Sequence, residues 1–209
     1  MIAEQTGAIA QAERTYVSNS VVSRDGARIS YFSIGEGPGV VVIPGALSMA
    51  EDYMGFARAL GERYSVHIIE RRGRGLSSAQ GDDYGMDKER EDVLALREKT
   101  GAGFLVGHSF GGLIALEAAR NNRSLAKIAV YEPGVSINGS ISMQWMPAYK
   151  RKLAEKKDLD AFVEFSLGTG PERARRTPHW LMKLLLPRFI SADEQKAMLG
   201  LLRENLREH

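Results

Sequence analysis

Cysteine is absent from the 209-residue chain, which rules out both a disulfide frame and a thiol nucleophile. Histidine is scarce: His67, His108, His179 and His209 are the four available for acid–base work. No run approaches the roughly 20 apolar residues of a membrane span. Met1 to Arg14 carries an early Glu4 and no long apolar core, so it does not read as a signal peptide. A net charge of +2 implies neither a nucleic-acid partner nor an anionic membrane. The charge is uneven, since residues 135–209 hold 13 Lys and Arg against 9 Asp and Glu. Such a mild bias fits solvated helix faces. The expectation is a soluble, cytoplasmic protein without cofactor or metal. At 44% hydrophobic residues the chain can build one domain with a real core.

What is present alternates. Residues 15–22 and 27–34 read as two strands joined by a hairpin signal at Arg24-Asp25-Gly26. Val40 to Ile43 is a continuous β-branched run, the pattern of a strand buried on both faces of a parallel sheet. A helix is predicted over Met49–Arg63, with Tyr53, Phe56, Ala57 and Leu60 on one face. Then come a strand at Ser65–Ile69, a glycine-bearing loop over 71–81 and a charged helix over Asp87–Lys99. A strand at Phe104–Val106, a helix at Gly111–Asn121 and a strand at Ile128–Tyr131 complete the series. This is an α/β pattern, a mostly parallel sheet with an N-terminal antiparallel hairpin. After Pro133 no strand pattern remains. Helices are predicted around Trp145–Lys157, Leu159–Leu167, Thr177–Leu186 and Ala192–Glu208, the last with a capped start at Ser191-Ala192-Asp193-Glu194. Two parts follow, a strand-bearing part over 1–134 and a helical part over 135–209.

Chemistry concentrates at Gly107-His108-Ser109-Phe110-Gly111, a G-x-S-x-G pattern between a predicted strand and a predicted helix. A serine on so sharp a turn sits in a strained backbone conformation. A side chain two residues before or after it would strike the neighbouring strand or helix, which explains both glycines.

Three more motifs fall in order around it. Pro44-Gly45-Ala46 follows the third strand. Glu70-Arg71-Arg72-Gly73-Arg74-Gly75-Leu76-Ser77 follows the fourth. Tyr131-Glu132-Pro133 closes the sixth. Together they resemble the α/β-hydrolase superfamily, in the subgroup whose helical cap follows the sixth strand, and the resemblance runs over about residues 15 to 209. Pro44 departs from the histidine the family usually has there.

The resemblance implies Ser109 as nucleophile, with the backbone N–H groups of Ala46 and Phe110 as oxyanion hole. For the acid it implies a position after the seventh strand or, in some members, the sixth. Glu132 is the expected acid, the alternatives being an acid outside these residues or a Glu132 that only ties down the cap by hydrogen bonds. Glu70 is expected to knit its loop together with Arg71, Arg72 and Arg74. His108 is expected to pack beneath the elbow, because neighbouring side chains diverge there. His67 is expected to be a sheet histidine, and His179 to line a pocket in the cap. Met143, Trp145, Met146, Phe162, Phe165, Trp180, Leu181 and Leu185 supply the cap with apolar side chains. Of these, Trp145, Met146 and Trp180 are expected to border the pocket of a small apolar ester-like substrate.

In the family the cap is followed by two more strands and the loop with the catalytic histidine, whereas nothing after Leu186 reads as a strand. A further C-terminal segment of about 50–70 residues, or a separate complementing piece, is therefore expected, with the chain alone idle. Carboxylic-ester hydrolysis is the leading expectation. Cofactor-free haloperoxidase and carbon–carbon bond hydrolysis use the same serine, and a non-catalytic ligand-binding homologue is the alternative of another class. Phosphate binding at 71–75 is disfavoured, because the loop lacks the G-x-x-x-x-G-K-[ST] spacing.

Overall fold

The computed structural model describes residues 16–170 and 172–208. The expectations for residues 1–14 and for His209 lie outside these. Six strands form one sheet in the order β1-β2-β4-β3-β5-β6: β1 Val17–Val22, β2 Arg28–Ile34, β3 Gly39–Ile43, β4 Ser65–Ile69, β5 Phe104–His108 and β6 Lys127–Tyr131. The hairpin β1–β2 and the pair β2–β4 are antiparallel, while β3, β4, β5 and β6 run parallel.

The side-chain period of two divides the buried strands between two cores. Ile29, Tyr31, Val41, Ile43, Ile69 and Leu105 point to one face, under helices α2 (Met86–Thr100) and α3 (Phe110–Ala119). Phe32, Ile34, Val40, Val42, Val66 and Ile68 point to the other, under α1 (Met54–Leu60). That two-sided burial is why the central strands read as unbroken apolar runs. β6 differs. It lies at the edge of the sheet with all five residues exposed, among them Ile128, Val130 and Tyr131.

The helix predicted over Met49–Arg63 is interrupted. A 3-10 turn at Ala50–Tyr53 precedes α1. The Asp52 carboxylate accepts from the Met49 N–H at 2.8 Å and tightens this turn. Phe56 is exposed rather than packed, since the buried side of α1 is the one that carries Met54 and Ala57. Among the described residues six helices follow β6: α4 Met146–Ala154, α5 Asp158–Thr169, α6 Glu172–Arg175, α7 His179–Phe189, α8 Ala192–Gly200 and α9 Leu202–Leu206. The single helix predicted over Ala192–Glu208 thus divides at Leu201, while its start has the predicted capping box. Trp145, Tyr149, Phe162, Leu167 and Leu202 build a third core in this helical group. Leu47, from the loop after β3, joins it and links it to the sheet. No described helix is long and apolar enough to cross a membrane.

The tightest packing in the sheet is at the β5–α3 turn. A Cβ on Gly111 would overlap the main-chain oxygens of Ile43 and Pro44, and one on Gly107 would overlap the backbone of Gly111 and Gly112. Backbone cannot yield as a flexible side chain can. Gly111→Ala is therefore expected to lose about 3 kcal/mol of stability or to fail to fold. Gly55→Ala, where a Cβ meets nothing within 4 Å, is the matched control in a urea melt.

Candidate active site

Ser109 sits between β5 and α3 with φ 52° and ψ −120°, a left-handed conformation that a serine adopts only under constraint. The constraint is visible on both sides. The Ser109 N–H donates to the Tyr131 carbonyl at 2.9 Å, and its own carbonyl accepts from the Gly112 N–H at 2.8 Å. Ser109 thus stands at the C-terminal edge of the parallel strands, where open α/β sheets place their ligands. Among the described residues nothing hydrogen-bonds its hydroxyl.

The loop after β3 lies against the elbow. A Cβ on Gly45 would be 3.4 Å from the Ser109 Cβ and 3.3 Å from His108 Nδ1. The next residue, Ala46, is buried, and its N–H makes no hydrogen bond with a described residue. The Phe110 amide opens α3, where the helix N-terminus adds partial positive charge. Phe110 thus follows the serine directly in the chain, and Ala46 follows Gly45, whose Cβ would approach the serine.

His108 is turned away from this role. Its Nδ1 pairs with the Tyr53 hydroxyl at 2.7 Å, which also accepts from the Gly45 N–H at 3.0 Å, and its ring stacks on Tyr131. If Tyr53 donates to Nδ1, the imidazole carries its proton on Nε2. His108 therefore braces the Pro44–Ala46 loop, as expected from its position. His67 is a sheet histidine held by Ser33 at 2.8 Å and Ser65 at 3.3 Å, and burial pushes it below the ordinary histidine value. His179 lies 3.6 Å from Glu164 and lines a cavity of about 250 Å³ with Trp145, Arg175 and Gly168. Met146 is buried inside the helical core. Trp180 projects to solvent, 67% exposed, and does not border that cavity. Trp180 and Leu184, four positions apart, share the outward face of α7, and Leu186, two positions further on, lies on the opposite, inward face.

Glu132 follows β6 with φ 46°, exposed and without a hydrogen bond or ion pair to any described residue. Its backbone is strained, like that of Ser109, and its neighbour Tyr131 is the residue whose carbonyl holds the Ser109 amide. It does not tie down the helical part by hydrogen bonds. Glu70 does knit its loop: Oε2 accepts from the Ser30 hydroxyl at 2.5 Å and from the Leu76 N–H at 3.1 Å.

The three arginines do more than was expected of them. Arg71 is fully buried. Its Nε and Nη2 grip the Glu89 carboxylate at 3.2 and 2.7 Å, its Nη1 donates to the Gly45 carbonyl at 3.0 Å, and its guanidinium lies 4.7 Å over the Phe110 ring. Arg72 makes paired bonds to Asp92 at 2.7 Å and to Asp25 at 2.7 and 2.9 Å, tying the β1–β2 turn to α2. Arg74 donates to the Ala46 carbonyl. The acidic partners Glu89, Asp92 and Glu208 were not anticipated. Glu89 and Asp92 share the buried face of α2 with Val93 and Leu96. A carboxylate pair in register with apolar residues, downstream of a loop with three arginines, is the signal that could have found them.

These features have counterparts. The model of the Alpha/beta hydrolase family matches residues 40–207. The chain is 34% identical over 187 residues to the N-formylmaleamate deformylase of Pseudomonas putida, covering 85% of this chain and 70% of that protein. It is 27% identical to the pimeloyl-[acyl-carrier protein] methyl ester esterase of Aeromonas hydrophila, over 84% of this chain and 72% of that one. The structure of an alpha/beta hydrolase from Sphaerobacter thermophilus superposes with a TM-score of 0.74 at 28% identity, covering 88% of this chain and 70% of that one.

Two carboxylates of the network, Glu89 and Asp25, make stability depend on pH with one sign, while burial holds Asp92 above its ordinary value and opposes them. Burial alone would raise the Glu89 carboxyl, but Arg71 holds it below its ordinary 4.5. Hydrogen bonds from Arg72 hold Asp25 well below the usual carboxylate range. A depressed folded value stabilises the protein above the ordinary value, and that contribution is lost as pH falls through the folded one. The thermal midpoint is expected to drop steeply below about pH 4.5. Glu89→Gln should lose about 3 kcal/mol near neutrality, because Arg71 is left buried with one fewer counter-charge, and should flatten the acid limb of the pH profile. Calorimetric scans from pH 7 to 3 measure both.

Proposed function

The chain belongs to the Alpha/beta hydrolase family, and we propose that within it Ser109 is the nucleophile of a serine hydrolase that cleaves an acyl bond, as in a carboxylic ester. The observation that carries this is the elbow itself: a serine at φ 52° between a parallel strand and a helix N-terminus, with its hydroxyl uncommitted and the Ala46 amide unspent. The Ser109 Oγ attacks the carbonyl carbon and gives its proton to a base. The carbonyl oxygen takes the negative charge against the Ala46 and Phe110 N–H groups, and the alcohol or amine leaves with a proton. Water then hydrolyses the acyl-enzyme by the same steps. Two relatives bear on the bond that breaks: one is named for removing an N-formyl group, the other for a methyl ester. Both are acyl transfers to water.

Glu132 is the proposed acid. It stands on the same sheet edge, and no described partner claims its carboxylate. The base is proposed to come from outside the described residues, since His67, His108 and His179 are each engaged elsewhere. The open edge of β6 is where a complementing segment carrying it would pair. The helical group from α4 to α9 is proposed as the cap over the serine.

A fluorophosphonate probe is expected to label the native protein on the peptide containing Ser109, and Ser109→Ala should abolish the label. Absence of labelling would turn the conclusion to a ligand-binding homologue. Glu132→Gln is expected to slow p-nitrophenyl acetate hydrolysis by at least about a hundredfold. Near-normal turnover would remove Glu132 from the triad.

A further inference from the structure

Two carboxylates face Arg71, and they are held in different ways. Glu89 stands on the fifteen-residue helix α2 and meets both Nε and Nη2 of Arg71, the paired geometry of a lasting ion pair. Glu208 stands two residues beyond the five-residue helix α9 and offers one oxygen to two arginines. Its Oε1 accepts from Arg71 Nη2 at 2.7 Å and from Arg74 Nη2 at 2.6 Å. All three side chains are buried. Yet, among the described residues, Glu208 Oε2 and Arg74 Nε have no hydrogen-bond partner. A guanidinium and a carboxylate can satisfy each other through two parallel bonds, so leaving a donor and an acceptor idle in the same cluster marks an imperfect occupant.

Helix α9 is pinned in the helical core by Leu202 and by the Tyr149 hydroxyl, which donates to the Leu202 carbonyl and to Asn205 Oδ1 at 2.7 and 2.8 Å, whereas the two residues beyond it, Arg207 and Glu208, meet the loop they cross through their side chains. The Gln80 side chain donates to the Glu204 carbonyl at 3.2 Å, and Arg207 donates to the main-chain oxygens of Gly81 and Asp82 at an exposed site. If that segment lifts, Arg71 and Arg74 are left with Glu89 as their one carboxylate, and the cluster carries a net positive charge. Burial and the charge of Arg71 already push the Arg74 guanidinium below its ordinary value, so the vacated pair favours an anion.

Its position gives the anion a purpose. The same two arginines donate to the carbonyls of Gly45 and Ala46, and Arg71 lies over the ring of Phe110. Phe110 follows Ser109 in the chain, and a Cβ on Gly45, the residue before Ala46, would lie 3.4 Å from the Ser109 Cβ. We propose that Arg71 and Arg74 form a carboxylate-binding subsite for an acyl substrate with a second, free carboxylate, such as a half-ester or half-amide of a short dicarboxylic acid. Glu208 fills the subsite when no substrate is bound. The reaction in this scheme rests on the serine-hydrolase function, but the binding of a carboxylate does not.

Monomethyl succinate and its neutral analogue dimethyl succinate are the probes for isothermal titration calorimetry. Glu208→Gln should bind monomethyl succinate at least about tenfold more tightly than the unmodified protein, because the site is no longer self-occupied. Dimethyl succinate should bind the two proteins alike, and adding Arg74→Met should abolish the gain. Equal affinity for both esters, no tightening in Glu208→Gln, or a gain that survives Arg74→Met would overturn the subsite. If Glu208→Gln does not fold, the unmodified protein decides: monomethyl succinate should raise its thermal midpoint above that given by dimethyl succinate or by sodium chloride of equal ionic strength, and equal midpoints would overturn the proposal. Fluorophosphonate labelling of the same preparations separates the two conclusions. Selective carboxylate binding without labelling leaves the subsite standing and removes the hydrolase, and labelling without selectivity does the reverse.

Discussion

The Arg71 guanidinium is where the parts of this molecule meet. It leaves the end of β4 and enters a fully buried position between the loop after β3, helix α2, the ring that opens α3 and the segment after α9. A cation with no exposed surface must be matched by charge and hydrogen bonds on every side, since desolvating it alone would cost several kcal/mol. Glu89, Tyr84, Gly45 and Glu208 provide that match. Each of those partners is fixed in turn by what it gives to Arg71. The Gly45 carbonyl is the telling case: a bond to it orients the peptide plane that precedes the Ala46 amide. The loop after β3 thus inherits its geometry from an ion pair.

Beside this charged cluster the elbow depends on shape and on one backbone hydrogen bond. Ser109 holds a left-handed backbone because Gly107 and Gly111 let α3 start against the ends of β3 and β5, and because Tyr131 takes its amide. The two devices are coupled through His108. Its ring rests on Tyr131 and reaches Tyr53, whose hydroxyl takes the Gly45 amide. One peptide, Gly45, is therefore held from both ends, at its N–H by Tyr53 and at its carbonyl by Arg71. A backbone held so firmly can present an N–H to a developing charge without reorganising, which is what electrostatic stabilisation of an oxyanion requires.

The sheet and the elbow were legible because they follow from local pattern. Val40 to Ile43 reads as a strand buried on both faces, and the spacing of Gly107, Ser109 and Gly111 has one steric explanation. The interruption before α1 was not legible, because it depends on Asp52 reaching back to Met49 and on Tyr53 being turned toward His108, contacts that no periodicity carries. Trp180 was expected at a pocket because large aromatics are usually buried in apolar helices. It lies outside, because α7 spends Leu186 on the helical core. The pairing of Arg72 with Asp25 and Asp92, and of Arg71 with Glu208, joins residues 20 to 137 positions apart. Sequence shows that such charges exist, but only the fold decides which ones meet.

Replacing buried ion pairs with apolar side chains often leaves a protein as stable or more so. The cluster of Arg71, Arg72 and Arg74 is thus poorly explained by stability alone. Arg72 has a structural task that accounts for it, since its two bidentate pairs lock the β1–β2 turn onto α2. Arg71 needs one carboxylate and has Glu89 in paired geometry. Arg74 is different. It has no carboxylate of its own, it shares a single oxygen with Arg71, and its Nε is idle. A second buried guanidinium beside the first raises the electrostatic cost of both. Its position against the Ala46 carbonyl places that cost next to the serine rather than in the body of the sheet. A positive charge held there is of use to a site that must bind negative charge, whether on an oxyanion or on a substrate carboxylate, and that use accounts for Arg74 where packing does not.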